Sequence, residues 1–129
     1  MIEVEQTIFL PPHGNCLAAC MASVLELSLD EVPNPTGSDW IDVWIVWLRP
    51  RGFGLTLVGC PDEPDQMELF KARYMPGYTI LTGQSPRGDW LHAVVARDGE
   101  IVWDPSPQRE MGLGKWVDVA AFQVLDPVA

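Results

Sequence analysis

Apolar residues in the first third of the chain recur at helical spacing. We expect a core helix from Cys16 to about Leu27, with Asn15 as its N-cap, since a helix-forming run follows a good capping residue. A second helix, capped by Ser38 or Asp39, should stop before Pro50, because the residue before proline disfavours helical backbone. The predicted core face of the first helix consists of Leu17, Cys20, Met21, Val24, Leu27 and Ser28.

Three tryptophans lie on one face of the second predicted helix. Trp40, Trp44 and Trp47 follow each other at helical spacing. Such large aromatic areas are normally buried, so we expect core packing and not an aromatic cage for a ligand.

The later part of the chain alternates between apolar and polar positions, which indicates strands. The stretch Asp62–Tyr74 fits either a short helix or a loop, and an extended segment over Glu3–Phe9 precedes the first helix. Helices first and strands second predict an α+β fold, an N-terminal core helix packed on a twisted antiparallel β-sheet. The predicted strands are Gly54–Val58, Tyr78–Thr82, Trp90–Arg97, Glu100–Asp104 and a weaker one near Val117–Val124.

Composition limits the possible partners. With 129 residues, 47% of them apolar, we expect a single domain over residues 1–129. The formal charge of −10 repels phosphates and anionic lipid headgroups, so we expect no nucleic-acid or membrane partner. A neutral or basic peptide or protein fits better.

We expect neither a secretory signal nor a membrane-spanning segment. Glu3 and Glu5 stand where a secretory signal needs basic residues, and the apolar run from Val43 to Leu48 is too short to span a bilayer. Three cysteines are an odd number, which favours reduced thiols in the cytoplasm.

The most informative single residue is Cys16. It follows the predicted N-cap, where unpaired backbone N–H groups and the helix dipole favour a thiolate. Cys20, one turn later, should face the core. Of the two histidines, His92 is the better base, because a strand holds an imidazole more firmly than the turn around His13.

Asp104 is the candidate for orienting the imidazole of His92. A two-residue turn at Asp98 and Gly99 would leave His92 and Asp104 on opposite faces of the sheet. A three-residue loop places them on one face, so we expect that loop, with Gly99 left-handed. The predicted cross-strand pairs are Ala96 with Glu100, Val94 with Val102, and His92 with Asp104.

Acyl transfer also needs donors for the negative charge that develops on the carbonyl oxygen. The backbone N–H of Cys16 is one candidate. The side chain of Gln6, ten residues upstream, is the second, and Asn15 is an alternative whose side chain we expect to be occupied as the cap.

These motifs, in this order along the chain, resemble the papain-like cysteine peptidase superfamily. The stretches GNCLAACMASVL, HAVV and VWDPSP are most similar to its compact branch of bacteriocin-processing double-glycine peptidases. The resemblance implies a papain-like fold and a cysteine hydrolase that cleaves a peptide, isopeptide or related amide bond without a cofactor. It also implies Cys16 as nucleophile, His92 as base, Asp104 as orienting carboxylate and Gln6 as oxyanion donor.

Three other interpretations stay open. The same thiol, imidazole and carboxylate could transfer an acyl group to an amine, as transglutaminases do. An inactive papain-like module could bind a protein partner, with Trp90 and Trp103 at its surface. A zinc site is a weaker chemical alternative, because there is no paired Cys-x-x-Cys motif. It would use His13, Cys16, Cys20 and Cys60.

Overall fold

The computed structural model describes residues 1–9, 14–108 and 112–125 and has the predicted α+β architecture. Within these ranges there are three α-helices: α1 (Cys16–Leu25), α2 (Trp40–Leu48) and α3 (Met67–Tyr74). The five strands are β1 (Phe53–Gly59), β2 (Tyr78–Gln84), β3 (Leu91–Arg97), β4 (Glu100–Trp103) and β5 (Trp116–Val124). No helix in the described part of the chain is long and apolar enough to cross a bilayer.

The five strands form one antiparallel sheet in the order β1-β5-β2-β3-β4. Each predicted strand agrees with the structure to within two residues at either end. The stretch Asp62–Tyr74, for which helix and loop were both open, contains a short 3-10 turn (Pro64–Gln66) followed by α3. The segment Glu3–Phe9 forms no strand.

Helix α1 is buried on most of its surface. Cys20 and Met21 are buried as predicted, and so are the small residues between and beside them. The helix ends at Leu25 because Glu26 adopts a left-handed backbone conformation with φ 57°. Ser28 was wrongly placed on the core face: it is exposed beyond the helix end, where it forms a capping box with Glu31.

The tryptophans of α2 pack in the core as predicted, but Trp40 and Trp47 are less buried than Trp44. Trp44 is 1% exposed and contacts Trp47 edge to face, with ring centroids 5.8 Å apart. Trp40 and Trp47 are partly buried against the same cluster. The helix ends at Leu48, before Pro50, and Asp39 occupies the N-cap position without a side-chain hydrogen bond.

Strand β3 is buried on both faces. Ala93 and Val95 belong to the cluster that includes α1 and α2, whereas Val94 and Ala96 belong to a second cluster that includes α3. A strand packed on both sides has little freedom to move, so a side chain on it is held in a defined position.

The turn between β3 and β4 differs from the predicted three-residue loop. Asp98 and Gly99 both have positive φ, 51° and 84°, as a two-residue hairpin turn requires. Arg97 therefore pairs with Glu100. The predicted pairs Ala96 with Glu100, Val94 with Val102, and His92 with Asp104 are wrong.

A β-bulge compensates for the shorter turn. Ala96 pairs with Ile101 and Val95 with Trp103, so Val102 is an extra residue without its own partner. The extra residue reverses the alternation of side chains beyond it. His92 and Asp104 therefore lie on the same face of the sheet, as predicted, but because of the bulge and not because of a three-residue loop.

Candidate active site

His92 and Asp104 form a close buried pair. The ring N–H at Nε2 donates to Asp104 Oδ1 over 2.7 Å, and the two residues are only 2% and 6% exposed. The backbone N–H of Ser106 donates to the same carboxylate oxygen over 2.9 Å, which fixes the carboxylate. Because Nε2 is occupied, Nδ1 is the ring nitrogen that remains to accept a proton.

Cys16 lies beside this pair at the start of α1. Its side chain is close enough to the His92 ring to raise the pKa of the imidazole, and both residues line the same two clefts. The sulfur is half-buried. The structure thus brings together Cys16, His92 and Asp104, the three residues that the sequence analysis placed in one site.

The surroundings of His92 favour its charged form. Burial alone lowers the pKa of the imidazole, but hydrogen bonds to Asp104 and Cys16 and the negative charges of both outweigh burial. Together they raise the pKa from 6.5 to about 9. An imidazolium next to a thiol favours the thiolate, which is the reactive form of cysteine.

The other two thiols lie in different surroundings. Cys20 is fully buried, as predicted, and burial, with further contributions from Cys16 and Asp104, raises its pKa well above the usual value. Burial and the nearby Asp118 raise the pKa of Cys60 to about 11. Both thiols are therefore held in the protonated form at neutral pH.

Gln6 is buried at the same site and lines a cleft with Cys16 and His92. Its Nε2 donates to the carbonyl of Ile8 over 3.2 Å, so one of its two amide N–H bonds is used and the other remains. Its backbone N–H donates to the carbonyl of Pro105 over 3.0 Å, one residue beyond Asp104. The structure thus places Gln6 within the candidate site.

Asn15 occupies the N-cap position, but its side chain does not cap the helix. Its Oδ1 accepts the N–H groups of Thr7 and Ile8, each over 2.9 Å, and its Nδ2 donates to Thr7 Oγ1. The predicted side-chain cap is wrong, because these three bonds use the amide to hold the segment that carries Gln6. The first turn of α1 is left without a side-chain cap.

The N-terminal segment is fastened at two further points. Its Val4 accepts the indole N–H of Trp103 over 3.0 Å and donates to Ser23 Oγ over 3.1 Å. The segment therefore runs between α1 and the end of β4, next to the two elements that supply Cys16 and Asp104.

Two clefts meet at Cys16 and His92. The first, which we call the Gln6 cleft, has a volume of about 450 Å³ and includes Phe9, Arg87 and Trp90. The second, the Trp40 cleft, has a volume of about 320 Å³ and includes Trp44 and Asp118. The sulfur therefore adjoins two spaces, each lined by different residues apart from those around Cys16 and His92.

The clefts are also lined by Arg87 and Asp118, neither of which was predicted to belong to the site. Trp40 was predicted to lie in the core and lines the second cleft as well. The sequence gives one indication of a role for Arg87: it is one of only eight lysines and arginines, and it stands in a Ser-Pro-Arg-Gly turn. Trp103, suggested for a binding surface, is buried and bonded to Val4. Trp90 is half-buried in the Gln6 cleft.

The residues of the zinc interpretation are not brought together in the described structure. His13 lies outside the described residues. Cys60 packs in the cluster that includes α3, whereas Cys16 and Cys20 pack in the one that includes α2. Within residues 1–9, 14–108 and 112–125, no group of three or more histidines, cysteines or carboxylates could hold a metal ion.

Comparisons with known proteins add no relative. No protein-family model matches the sequence, and searches of curated proteins and of solved structures find no significant match.

Proposed function

We propose that this protein is a papain-like cysteine hydrolase that cleaves a peptide, isopeptide or related amide bond. The observation that carries the proposal is that Cys16 and His92 line the same two clefts and that the His92 ring binds Asp104 over 2.7 Å. A nucleophile, a base and a group that orients the base are the parts that this chemistry needs.

In the first half of the reaction, His92 Nδ1 takes the proton of the Cys16 thiol. The sulfur attacks the carbonyl carbon, and the carbonyl oxygen gains the negative charge. The imidazolium of His92 then gives its proton to the leaving amine as the C–N bond breaks. The acyl group remains on Cys16 as a thioester, and Asp104 keeps the ring oriented throughout.

In the second half, His92 takes a proton from water, and the resulting hydroxide attacks the thioester carbon. The carboxylic acid leaves and the proton returns to Cys16, so the net reaction is the hydrolysis of one amide bond. The backbone N–H of Cys16 and the remaining N–H of Gln6 would stabilise the oxygen charge in both halves. No cofactor takes part in this scheme.

The substrate that fits best is a peptide or protein segment, because two clefts adjoin Cys16 and His92 and can hold more than one residue. Asp118 in the Trp40 cleft and the net charge of −10 support a basic segment on that side. The three cysteines are unpaired, which supports the cytoplasm as the place of action.

Alkylation with iodoacetamide at pH 7, mapped by mass spectrometry, tests the proposal. We expect Cys16 to react at least about tenfold faster than Cys60, because Cys16 lies beside the imidazole of His92 and Cys60 lies near the carboxylate of Asp118. His92→Ala should remove this preference. Cys60→Ser is the matched control and should leave the labelling of Cys16 unchanged.

Equal and slow labelling of all three cysteines would contradict the hydrolase and favour a binding module. Where labelling is selective, a peptide library with and without an added primary amine separates the two acyl-transfer reactions. Hydrolysis releases a free acid in both samples, whereas a transglutaminase-like enzyme would form a new amide with the added amine.

A further inference from the structure

Arg87 lines the Gln6 cleft, and among the residues that the structure describes its charge has no partner. It also borders an adjoining cavity of about 430 Å³, so its side chain lies between the two spaces. Its Nη1 is buried and has no hydrogen-bond partner. Among the described residues, no carboxylate forms an ion pair with it, although Asp89 lines the same cleft. A buried donor without an acceptor is costly, so a ligand that supplies an acceptor would stabilise this site.

Other arginines of the chain lie against aromatic rings. The guanidinium groups of Arg51, Arg73 and Arg97 lie 4.2 to 5.5 Å from the ring centroids of Trp47, Tyr74 and Tyr78, respectively. In the described structure no such ring contact is present for Arg87. In a protein with a net charge of −10, a positive side chain that lines a cleft with the candidate thiol is thus left available for an anion.

The loop that carries Arg87 is held in place before any ligand binds. Gln84 Nε2 donates to the carbonyls of Gly88 and Trp90 over 2.8 and 3.2 Å, and the N–H of Ser85 donates to Trp90 over 2.8 Å. The N–H of Arg87 itself donates to Ser85 Oγ over 3.1 Å. A binding group on a braced loop loses little conformational freedom when it meets its ligand.

We propose that Arg87 binds a carboxylate of the substrate in the Gln6 cleft. The carboxylate is either the end of a peptide chain or an acidic side chain, since both offer two oxygens to the fork of a guanidinium. This inference rests on the proposed function, because the bound carboxylate belongs to a substrate only if the protein is a hydrolase. The binding itself does not require that Cys16 reacts.

The test uses three short peptides and ¹⁵N-labelled protein, with the indole N–H of Trp90 as reporter and Trp90→Phe to assign its signal. N-acetyl-diglycine should bind about tenfold tighter than its C-terminal amide, because a charge-assisted hydrogen bond adds about 1.5 kcal/mol. N-acetyl-glycyl-aspartyl amide distinguishes the sources. Its tight binding indicates an acidic side chain, and its weak binding indicates a chain end.

Arg87→Gln should remove the preference for the acid and leave the binding of the amide unchanged. Arg87→Lys should keep part of the preference for the acid, because lysine keeps the positive charge but cannot bind both carboxylate oxygens as a guanidinium does. Arg97→Gln is the matched control and should have no effect. The proposal is overturned if the wild-type protein shows no preference for either carboxylate over the neutral amide, or if a preference persists in Arg87→Gln.

The peptide titration tests the role of Arg87, and the alkylation of Cys16 tests the hydrolase, so each proposal can be refuted without the other. A preference for the acid together with an unreactive Cys16 would refute the hydrolase and leave a carboxylate-binding site. A reactive Cys16 without the preference would refute the role of Arg87 and leave the hydrolase.

Discussion

The two clusters that cover the faces of the sheet each include a partly buried cysteine, and the two thiols differ in their neighbours. Cys16, packed against the cluster of α1 and α2, lies beside the imidazole of His92. Cys60, packed against the cluster of α3, lies near the carboxylate of Asp118, and its pKa is raised to about 11. The comparison predicts that the reactivity of each thiol depends on which charge the fold places next to its sulfur.

The largest expected effect comes from removing one carboxylate near each thiol. Asp104→Asn keeps the size of the side chain but removes the charge that raises the pKa of His92, so we expect alkylation of Cys16 at pH 7 to slow by about 10- to 100-fold. Asp118→Asn should act in the opposite direction on Cys60, whose alkylation at pH 8 should become a few-fold faster. Rates of both thiols in both variants, followed by mass spectrometry, check the crossed pattern. Equal changes in the alkylation rates of Cys16 and Cys60 would contradict the opposite effects expected of the two carboxylates.

A smaller effect concerns stability and pH. The folded-state pKa of His92, about 9, lies above its unfolded value of 6.5, so the imidazolium stabilises the folded protein. This contribution is fully present below pH 6.5 and is lost as the pH rises through 9. It amounts to at most about 3 kcal/mol, from 1.36 kcal/mol per pKa unit.

Urea denaturation at pH 6, 7.5 and 9 measures that loss. His92→Gln should remove most of the slope between pH 6.5 and 9, whereas Cys60→Ser should keep it. A stability that stays constant across this window in the wild-type protein would contradict the charged pair.

The smallest effect concerns the segment that holds Gln6, which has no counterpart beside Cys60. Asn15→Ala removes three hydrogen bonds to that segment, and we expect the free energy of unfolding to fall by about 1 to 2 kcal/mol. Ser28→Ala, in an exposed capping box, is the control and should cost about 0.5 kcal/mol. Chemical denaturation checks both, and equal losses would show that Asn15 has no special part in fastening the segment.

Much of the fold could be predicted because it depends on local patterns. The apolar spacing after Asn15 predicted α1, and alternation predicted each strand to within two residues. The candidate site followed from the order of three residue types along the chain: a cysteine at a helix start, a histidine on a strand and an aspartate at the end of the next one.

What the sequence did not predict depends on contacts between distant segments. The bulge at Val102 keeps Trp103 facing α1, where its indole meets Val4, and no local pattern indicates that meeting. The partners of the Asn15 amide likewise depend on how the N-terminal segment returns to the helix. For Arg87, the sequence shows a turn but not the cleft that the turn borders.

The wide separation of the reacting groups along the chain has a consequence for biosynthesis. Translation produces Cys16 first, His92 76 residues later (92 − 16), and Asp104 after that. Until the β3–β4 hairpin has been made and has docked, the sulfur lacks the imidazole that the fold places beside it. The surroundings described for Cys16 therefore form only after the chain has been made through Asp104, however long the synthesis of the rest takes.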